Sequence, residues 1–266
     1  MSDPVGNELL RVSRSGAIAT ITLNRPEVSN ALASESYAAV AEALEACGRD
    51  ADVRAVIITG EGKHFSAGGD IRKFKGYIES GTFIQRENVI RAGKMTQAVR
   101  TCPKPVIAMV NGAAAGAGCA LALSCDFRIM TPKSRLGMSF INMGLSGNTG
   151  CMYFLERMIG AAKACELMML GSMVDGQEAL RLGLASKLVP EEQLQTEILA
   201  LAEQLARMPT QAIARQKRLS YEVFYRDLAQ FNLREADYMY ETSRTPDYKE
   251  AVYAFLEKRK PEFTGQ

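Results

Sequence analysis

Apolar and polar residues alternate over residues 8–14 and again over residues 17–25, on either side of Ser15-Gly16. A period of two is typical of a strand with one buried face, and a glycine between two such runs suits a tight turn. Pro26 ends the second run, because proline cannot donate to a strand ladder. The front of the chain is therefore predicted to form a β-hairpin.

Helical spacing replaces this alternation after Ser34, where a helix is predicted to run to about Gly48. Residues 75–100 are polar and loosely periodic, which favours a mobile segment followed by a helix to about Arg100. Further strands are predicted over residues 53–59, 105–110, 127–131 and 135–139, with a short helix over residues 120–124. From residue 148 onward the pattern predicts helices over residues 153–160, 161–171, 176–183, 191–208, 210–243 and 248–260.

Strands thus crowd the front of the chain and helices the rear. This order indicates an α/β fold, with a core of stacked turns over residues 1–200 and a helical region over residues 201–266 that covers the site or mediates assembly. The rear helices keep many apolar residues, such as Phe224 and Tyr238. Because a helical tail would bury them only in part, we expect the chain to form an oligomer.

Composition narrows the function classes. The six cysteines are scattered and there is one histidine, so neither a structural zinc site nor a disulfide framework is expected. A net charge of +2 spread along the chain gives no basic patch for nucleic acid. No apolar run approaches the ~20 residues of a membrane-spanning helix, and residues 1–6 lack a secretory pattern. We therefore expect a cytoplasmic protein with no membrane partner.

Two glycine-rich stretches carry the candidate chemistry. Ser66–Asp70 and Asn111–Ala120 each follow a strand and precede a helix. Small residues let a ligand approach the backbone, and the first amides of a helix are unpaired donors at the positive end of its dipole. Together the two stretches predict a cradle of two amides for one oxygen. The alternative is a pair of tight turns with close packing, and neither stretch has the glycine arrangement of a nucleotide-binding loop.

Ordered motifs then give a resemblance to the enoyl-CoA hydratase/isomerase (crotonase) superfamily over almost the whole chain. The motifs are Leu23-Asn24-Arg25-Pro26 with Asn30-Ala31-Leu32, Phe65–Ile71, Pro103–Ala108, Val110-Asn111-Gly112, Gly116–Cys119, Cys125-Asp126, Gly144-Leu145, Ala179–Ser186, Leu188-Val189-Pro190 and Phe255–Arg259. The resemblance implies a spiral of ββα turns with a C-terminal α-helical trimerisation region, assembled as a homotrimer or a dimer of trimers. It also implies an acyl-CoA thioester as substrate, with coenzyme A as part of the substrate and no permanently bound cofactor.

Site residues follow from the resemblance position by position. The two amides that stabilise the thioester enolate would be those of Gly69 and Ala117. The coenzyme A and pocket positions would be Glu27, Val28, Ser29, Ala67, Gly68, Asp70, Ile71, Arg72, Gly116, Ala120, Phe140, Phe255 and Lys258. No metal is implied.

The chain departs from the family where hydratases carry two glutamates that hold and activate water. Ala120 and Phe140 occupy those positions and would form an apolar pocket wall. Glu79 and Glu87 are the remaining acid–base candidates, in a segment that lines the acyl pocket in this family; the alternative is two solvated helix charges. Asp126 is interpreted as a structural hydrogen-bonding group.

Two other polar residues are candidates. Asn148 aligns with a position where several relatives that are not simple hydratases have an aspartate. Its amide could orient water or a carbonyl, although we favour its acting as the cap of the following helix. Tyr77 is a further candidate proton donor.

The sequence therefore predicts an acyl-CoA enzyme that stabilises a thioester enolate without the two-glutamate machinery. Its reaction would be isomerisation, hydrolysis, decarboxylation, or hydration with a relocated base. The alternative is a catalytically impaired acyl-CoA-binding protein.

Overall fold

A computed structural model describes residues 5–266, so residues 1–4 of the segment considered for a secretory signal lie outside the described residues. The strands are β1 (Val5–Asn7), β2 (Leu10–Ser15), β3 (Ile18–Leu23), β4 (Ala55–Gly60), β5 (Val106–Val110), β6 (Ala113–Ala115), β7 (Phe127–Met130), β8 (Arg135–Gly137), β9 (Met173–Asp175) and β10 (Lys187–Leu188). The helices are α1 (Ser34–Arg49), α2 (Ile71–Glu79), α3 (Arg86–Thr101), α4 (Ala117–Ser124), α5 (Cys151–Ile159), α6 (Ala161–Met169), α7 (Gly176–Arg181), α8 (Leu194–Arg207), α9 (Thr210–Phe224), α10 (Leu228–Thr242) and α11 (Pro246–Leu256). Short 3₁₀ turns occupy Pro26–Val28, Ile141–Met143 and Glu191–Gln193.

Seven strands form the large sheet in the order β1-β2-β3-β4-β5-β7-β10. Strands β1, β2 and β3 pair antiparallel, and the predicted hairpin turns at Gly16 with a φ of 57°. From β3 to β10 every pairing is parallel. Strands β6, β8 and β9 form a second sheet.

Two successive turns of the chain each contribute one strand to both sheets before they enter a helix. Strand β5 joins the large sheet, β6 the small sheet, and α4 follows; β7, β8 and α5 repeat this order. The predicted α/β class and the spiral of ββα turns are therefore confirmed. Trimerisation stays a prediction.

Strand β4 explains why the large sheet is covered on both faces. Val56 and Ile58 point to the core that contains α1, α3 and α4, whereas Ala55 and Ile57 point to the core that contains α8. Successive side chains of a strand lie on opposite faces, so a strand buried on both faces has a continuous apolar sequence. The packed sheet gives the loops at its edge a rigid base.

The rear third differs in detail from its prediction. Residues 210–243 form two helices, α9 and α10, which are separated by Tyr225–Asp227. The predicted boundary at residue 200 falls inside α8, which packs on the sheet through Ile198 and Ala202. Large apolar side chains of α9 and α10 are exposed, namely Leu219, Val223, Phe224, Leu233 and Tyr238. These surfaces suit the predicted assembly.

Residues 75–100, predicted as a mobile segment followed by a helix, contain the second half of α2 and nearly all of α3. Across the part of the chain that is described, no helix has the length and apolar character needed to cross a membrane.

Asp126 joins helix α9 to the core. Its carboxylate accepts from Arg100 Nη1 at 3.1 Å, from Lys217 Nζ at 2.6 Å and from the Val106 amide at 2.8 Å. The side chains of Arg100, Lys217 and Asp126 are 9%, 8% and 14% exposed. This pairing supports the structural interpretation of Asp126.

We predict that Asp126→Asn lowers the free energy of unfolding by about 3–5 kcal/mol, because two buried cations lose their counter-charge. Urea unfolding followed by circular dichroism measures the loss. Asp227→Asn is the control, since the ion pair of Asp227 with Arg226 is largely exposed and contributes little. An unfolding midpoint equal to that of the wild type in Asp126→Asn would contradict the assignment.

Candidate functional site

The first glycine-rich loop, residues 66–70, is bonded to the chain segment before α1. The Leu32 amide donates to the Gly68 carbonyl at 2.7 Å, and the Asp70 amide donates to the Leu32 carbonyl at 3.1 Å. These bonds use the backbone groups on either side of Gly69. Within residues 5–266 the Gly69 amide itself donates no hydrogen bond.

The same loop is bonded on its other side to β6. The Ser66 amide donates to the Ala113 carbonyl at 3.1 Å, and the Ala115 amide donates to the Ser66 carbonyl at 2.9 Å. Gly68 has a φ of +88°, and a Cβ there would lie 2.5 Å from the Ala115 oxygen and 3.4 Å from the Ala117 nitrogen. Only glycine fits such a close approach. The two loops are therefore in direct backbone contact.

Helix α4 begins at Ala117, after Gly116 with φ 50° and ψ −122°. Ala117 is the first helical residue, and its amide has no acceptor among the described residues. Gly69 and Ala117 both line one cavity. Two residues with unpaired amides, one of them at a positive helix end, therefore border a common space, and such amides suit a carbonyl oxygen or an anion.

That cavity has a volume of about 810 Å³, within the range of small-molecule sites. Buried apolar residues form much of its interior: Ile84, Val89, Phe140, Leu145 and Met239. Exposed residues form its rim, among them Glu27, Arg72, Lys73, Phe255 and Arg259. Arg72 makes no ion pair with any residue from 5 to 266, which leaves its charge for a ligand.

Eleven of the residues predicted for coenzyme A, pocket or catalysis line the cavity besides the two amide donors: Glu27, Val28, Ser29, Ala67, Asp70, Ile71, Arg72, Gly116, Phe140, Asn148 and Phe255. Five do not: Gly68, Glu79, Glu87, Ala120 and Lys258. Gly68 shapes the loop instead. The neighbour of Lys258, Arg259, lines the cavity, and Lys258 is exposed outside it with a φ of 57°.

Glu79 and Glu87, predicted to line the acyl pocket, lie outside the cavity. Glu79 pairs with Lys75 at 3.2 Å on the exposed side of α2. Glu87 is exposed in the first turn of α3, where its negative charge interacts favourably with the positive end of the helix dipole. Both positions match the alternative of solvated helix charges, and the cavity geometry lends no support to an acid–base role.

The predicted apolar wall is formed by Phe140 and not by Ala120. The Phe140 ring lies 3.6 Å from where a Cβ of Gly116 would stand, beside the two amides. Ala120 is fully buried in the core cluster, because its turn of α4 points away from the cavity.

Asn148 does not cap helix α5, so the favoured interpretation of this residue is wrong. The cap position belongs to Gly150, and the Asn148 side chain lies in the cavity wall with 7% of the residue exposed. Thr149 next to it has a φ of 62°, an unfavourable conformation for a β-branched residue. A strained backbone conformation of this kind persists only where the surrounding structure holds it in place.

Carboxylates are scarce in the cavity. Of the acidic residues between 5 and 266, only Glu27 and Asp70 line it. The Glu27 side chain is 66% exposed at the rim. Asp70 accepts from Arg25 Nη1 at 3.0 Å and from the Arg72 amide at 3.1 Å, so it caps α2 as half of an ion pair. Within the described chain no group of His, Cys, Asp or Glu residues could hold a metal ion.

Sequence reasoning missed several polar residues of the wall, among them Ser34, Tyr37, Asn88 and Asn142. Tyr37 has helical spacing with Val40 and Leu44, which is the pattern of a buried helix face. Ser34 stands out in the sequence only as the start of the predicted helix. Tyrosine among aliphatic residues on such a face was the signal that could have identified the site.

A buried carboxylate supports the loop that carries Asn148. Glu235 of α10 accepts from the Gly150 amide at 2.8 Å, beside Asn232, whose amide nitrogen and oxygen find no partner among the described residues. Burial raises the pKa of Glu235 to about 8, and the bond from Gly150 offsets only part of this effect.

These features define a class: an α/β spiral protein in which two unpaired amides, delivered by adjacent loops, face an apolar ligand cavity. Residues 13–266 match the family model described as Enoyl-CoA hydratase/isomerase, and the chain belongs to that family.

The similarity to known proteins extends over nearly the full length of the chain. The chain is 37% identical to a protein of Mycobacterium bovis named a probable enoyl-CoA hydratase, covering 97% of this chain and 98% of the relative. It is 34% identical to the 1,2-epoxyphenylacetyl-CoA isomerase of Escherichia coli, covering 94% and 95%. The crystal structure of an enoyl-CoA hydratase/isomerase from Pseudoalteromonas atlantica superposes with a TM-score of 0.84 at 33% identity, covering 96% and 100%. The resemblance inferred from the sequence motifs is confirmed.

We predict that Glu235→Gln stabilises the protein increasingly as pH rises from about 5 to about 8. Over this window the folded wild type keeps a proton that the unfolded chain has released, so wild-type stability falls with pH. The amide of the variant can still accept from Gly150 and does not titrate. The difference in unfolding free energy should grow by on the order of 2–4 kcal/mol across the window.

Urea unfolding at several pH values measures this difference. Glu241→Gln, at an exposed position on the same helix, is the control. A Glu235→Gln difference that does not change with pH would contradict the raised pKa.

Proposed function

We propose that this protein is an acyl-CoA enzyme that stabilises a thioester enolate between the amides of Gly69 and Ala117, by a reaction other than two-carboxylate hydration. One observation carries the proposal: these two amides are unpaired, and the residues that carry them line the same cavity. Preorganised donors aimed at a developing oxyanion can contribute several kcal/mol of transition-state stabilisation.

Support for the acyl-CoA ligand comes from the names of the relatives, which refer to coenzyme A thioesters. The cavity agrees with such a ligand, since an apolar interior suits an acyl chain and an exposed rim suits a polar carrier. Arg72 is the rim cation we assign to a phosphate of coenzyme A, which enters as part of the substrate. Phe255 would pack against the bound carrier from α11.

The lining argues against standard hydration, which needs a carboxylate beside the substrate double bond to move protons to and from water. Phe140 occupies the wall where that group would stand, and the cavity carboxylates are at the rim or in an ion pair. The reaction must therefore form its enolate with little help from a carboxylate base.

Among isomerisation, hydrolysis and decarboxylation, the last fits this lining best. When a malonyl-type thioester loses carbon dioxide, the electron pair of the breaking bond stays on the α carbon. The enolate then forms without proton abstraction, and the two amides stabilise its oxygen. One proton from a hydroxyl or from water at the α carbon completes the reaction.

The alternative, an acyl-CoA-binding protein without turnover, is favoured by the same Phe140 wall. Asn148 can orient a carbonyl or a water in either case, because an amide both donates and accepts.

A substrate panel tests the proposal. Crotonyl-CoA should bind, but its hydration should be slower by about 10²- to 10⁴-fold than in a relative with both glutamates, because general acid–base help is missing. At least one malonyl-type, β-keto or 3-enoyl thioester should be turned over. Binding of the whole panel without any turnover would favour the binding-protein alternative and refute the enzyme.

Ala117→Pro tests the oxyanion assignment. Proline lacks the amide hydrogen and is well tolerated as the first residue of a helix, so the donor is lost with little effect on α4. Position 69 suits this test less, because a Cβ there would lie 2.7 Å from Phe74 Cζ. We expect turnover of the best panel substrate to fall by about 10²- to 10³-fold with coenzyme A affinity unchanged.

Ala117→Ser, which keeps the amide, is the matched control, and circular dichroism checks the fold. A folded Ala117→Pro protein with wild-type turnover would rule out this donor.

A further inference from the structure

A directed chain of hydrogen bonds ends inside the cavity, where α1, α2 and α3 meet. Arg91 Nη1 donates to Ser34 Oγ at 2.7 Å, and Ser34 Oγ bonds to Asn88 Oδ1 at 2.9 Å. Asn88 Nδ2 then donates to the hydroxyl of Tyr77 at 3.0 Å. Ser34, Asn88 and Tyr77 all line the cavity.

The donors and acceptors fix the direction of this chain. Arginine only donates, so the Ser34 oxygen accepts from Arg91 and its own proton goes to the Asn88 carbonyl oxygen. Asn88 is therefore oriented with its NH₂ group toward Tyr77. Because the Tyr77 oxygen accepts this bond, its own proton is free for an acceptor in the cavity. Each hydrogen bond in such a chain polarises the next one, so the hydroxyl at the end of the chain becomes a stronger donor.

Tyr37 places a second hydroxyl in the same wall. It is 7% exposed, lines the cavity, and its hydroxyl has no hydrogen-bond partner in the described part of the chain. Burial raises the pKa of Tyr37, and the neighbouring Asp70 and Tyr77 raise it further, so this phenol stays protonated. A hydroxyl that lines a cavity and has no partner in the protein can donate its hydrogen bond to a ligand.

We propose that Tyr37 and Tyr77 form a subsite for a neutral, hydrogen-bond-accepting oxygen on the acyl group, several bonds beyond the thioester. This inference rests on the proposed function, since it assumes that an acyl chain occupies the cavity.

The position of Tyr77 along α2 determines how far the subsite lies from the thioester. Tyr77 is seven residues after Asp70, a rise of about 10 Å along the helix, whereas the thioester oxygen would sit at Gly69. The oxygen that binds Tyr77 therefore belongs to the distal part of the acyl chain.

The charge and polarity of the neighbouring residues determine which kind of acyl oxygen the subsite would bind. Asp70 lies near Tyr37 and would repel an acyl carboxylate, although its pairing with Arg25 weakens this repulsion. The nearby side chains of Ile84, Val89 and Met239 are apolar. A hydroxyl, ketone or ether oxygen is thus the group that these two phenols would recognise.

Calorimetric titration of hexanoyl-CoA and of its 4-, 5- and 6-hydroxy derivatives tests the subsite. At least one hydroxylated ligand should bind the wild type about two- to tenfold tighter than hexanoyl-CoA, as expected for a net hydrogen bond. Tyr77→Phe should abolish this preference, measured as the ratio of the two affinities in the same variant. Asn88→Ala, at a positioning residue, should reduce the preference without removing the phenol.

Tyr240→Phe is the control, because Tyr240 of α10 lies outside the cavity wall. Tyr37→Phe is a second variant that should also lower the preference for the hydroxylated ligand. It replaces Tyr77→Phe in the test if that variant does not fold. The subsite is refuted if hexanoyl-CoA binds and no hydroxylated ligand binds tighter, or if both phenylalanine variants keep the preference. Failure of hexanoyl-CoA itself to bind would instead overturn the acyl-CoA site, and the subsite with it.

Discussion

The backbone pairing of Ser66 with Ala114 is the contact on which the rest of the site depends. It holds the loop after β4 against the strand that precedes α4, so that Gly68 and Ala117 come into contact. Buried backbone groups are normally all paired. Here the neighbours of Gly69 are bonded to Leu32, and Ala117 starts a helix, so two amides remain without partners beside each other. Their freedom to bind a ligand is a property of the chain path and not of any side chain.

Rigidity of this arrangement comes from the large sheet. Strands β4 and β5 are buried on both faces, and each ends next to one of the two loops. Parallel strands present their carboxyl ends at one edge of a sheet, which is where ligands bind in such folds. Asp126 adds a second constraint by fixing α9 to the start of β5 through a buried pair of cations. In the proposed function, the amides would therefore need no reorganisation when a charge develops between them.

The features set by local backbone chemistry could be predicted from the sequence. The hairpin, the turns around Gly69 and Gly116, and the amides of Gly69 and Ala117 follow from glycine and strand patterns together with ordered motifs. Features that depend on which helix face meets the cavity could not. Glu79 and Tyr77 are two residues apart on α2, yet only Tyr77 lines the cavity. Tyr37 looked like a core residue, Asn148 looked like a cap, and the break between α9 and α10 has no proline or glycine to mark it.

The cavity also suggests why the proposed oxyanion site has so few acidic side chains in its wall. A carboxylate in an apolar wall is costly to ionise, as the raised pKa of Glu235 illustrates a short distance away. Phe140 avoids that cost and lowers the local polarity, which strengthens the action of two fixed amides on a developing charge. Burial raises the pKa of Tyr37, so this phenol stays protonated and can still donate a hydrogen bond. In the proposed function, selectivity would then depend on where neutral donors stand along the acyl chain, and charge stabilisation on the two backbone amides.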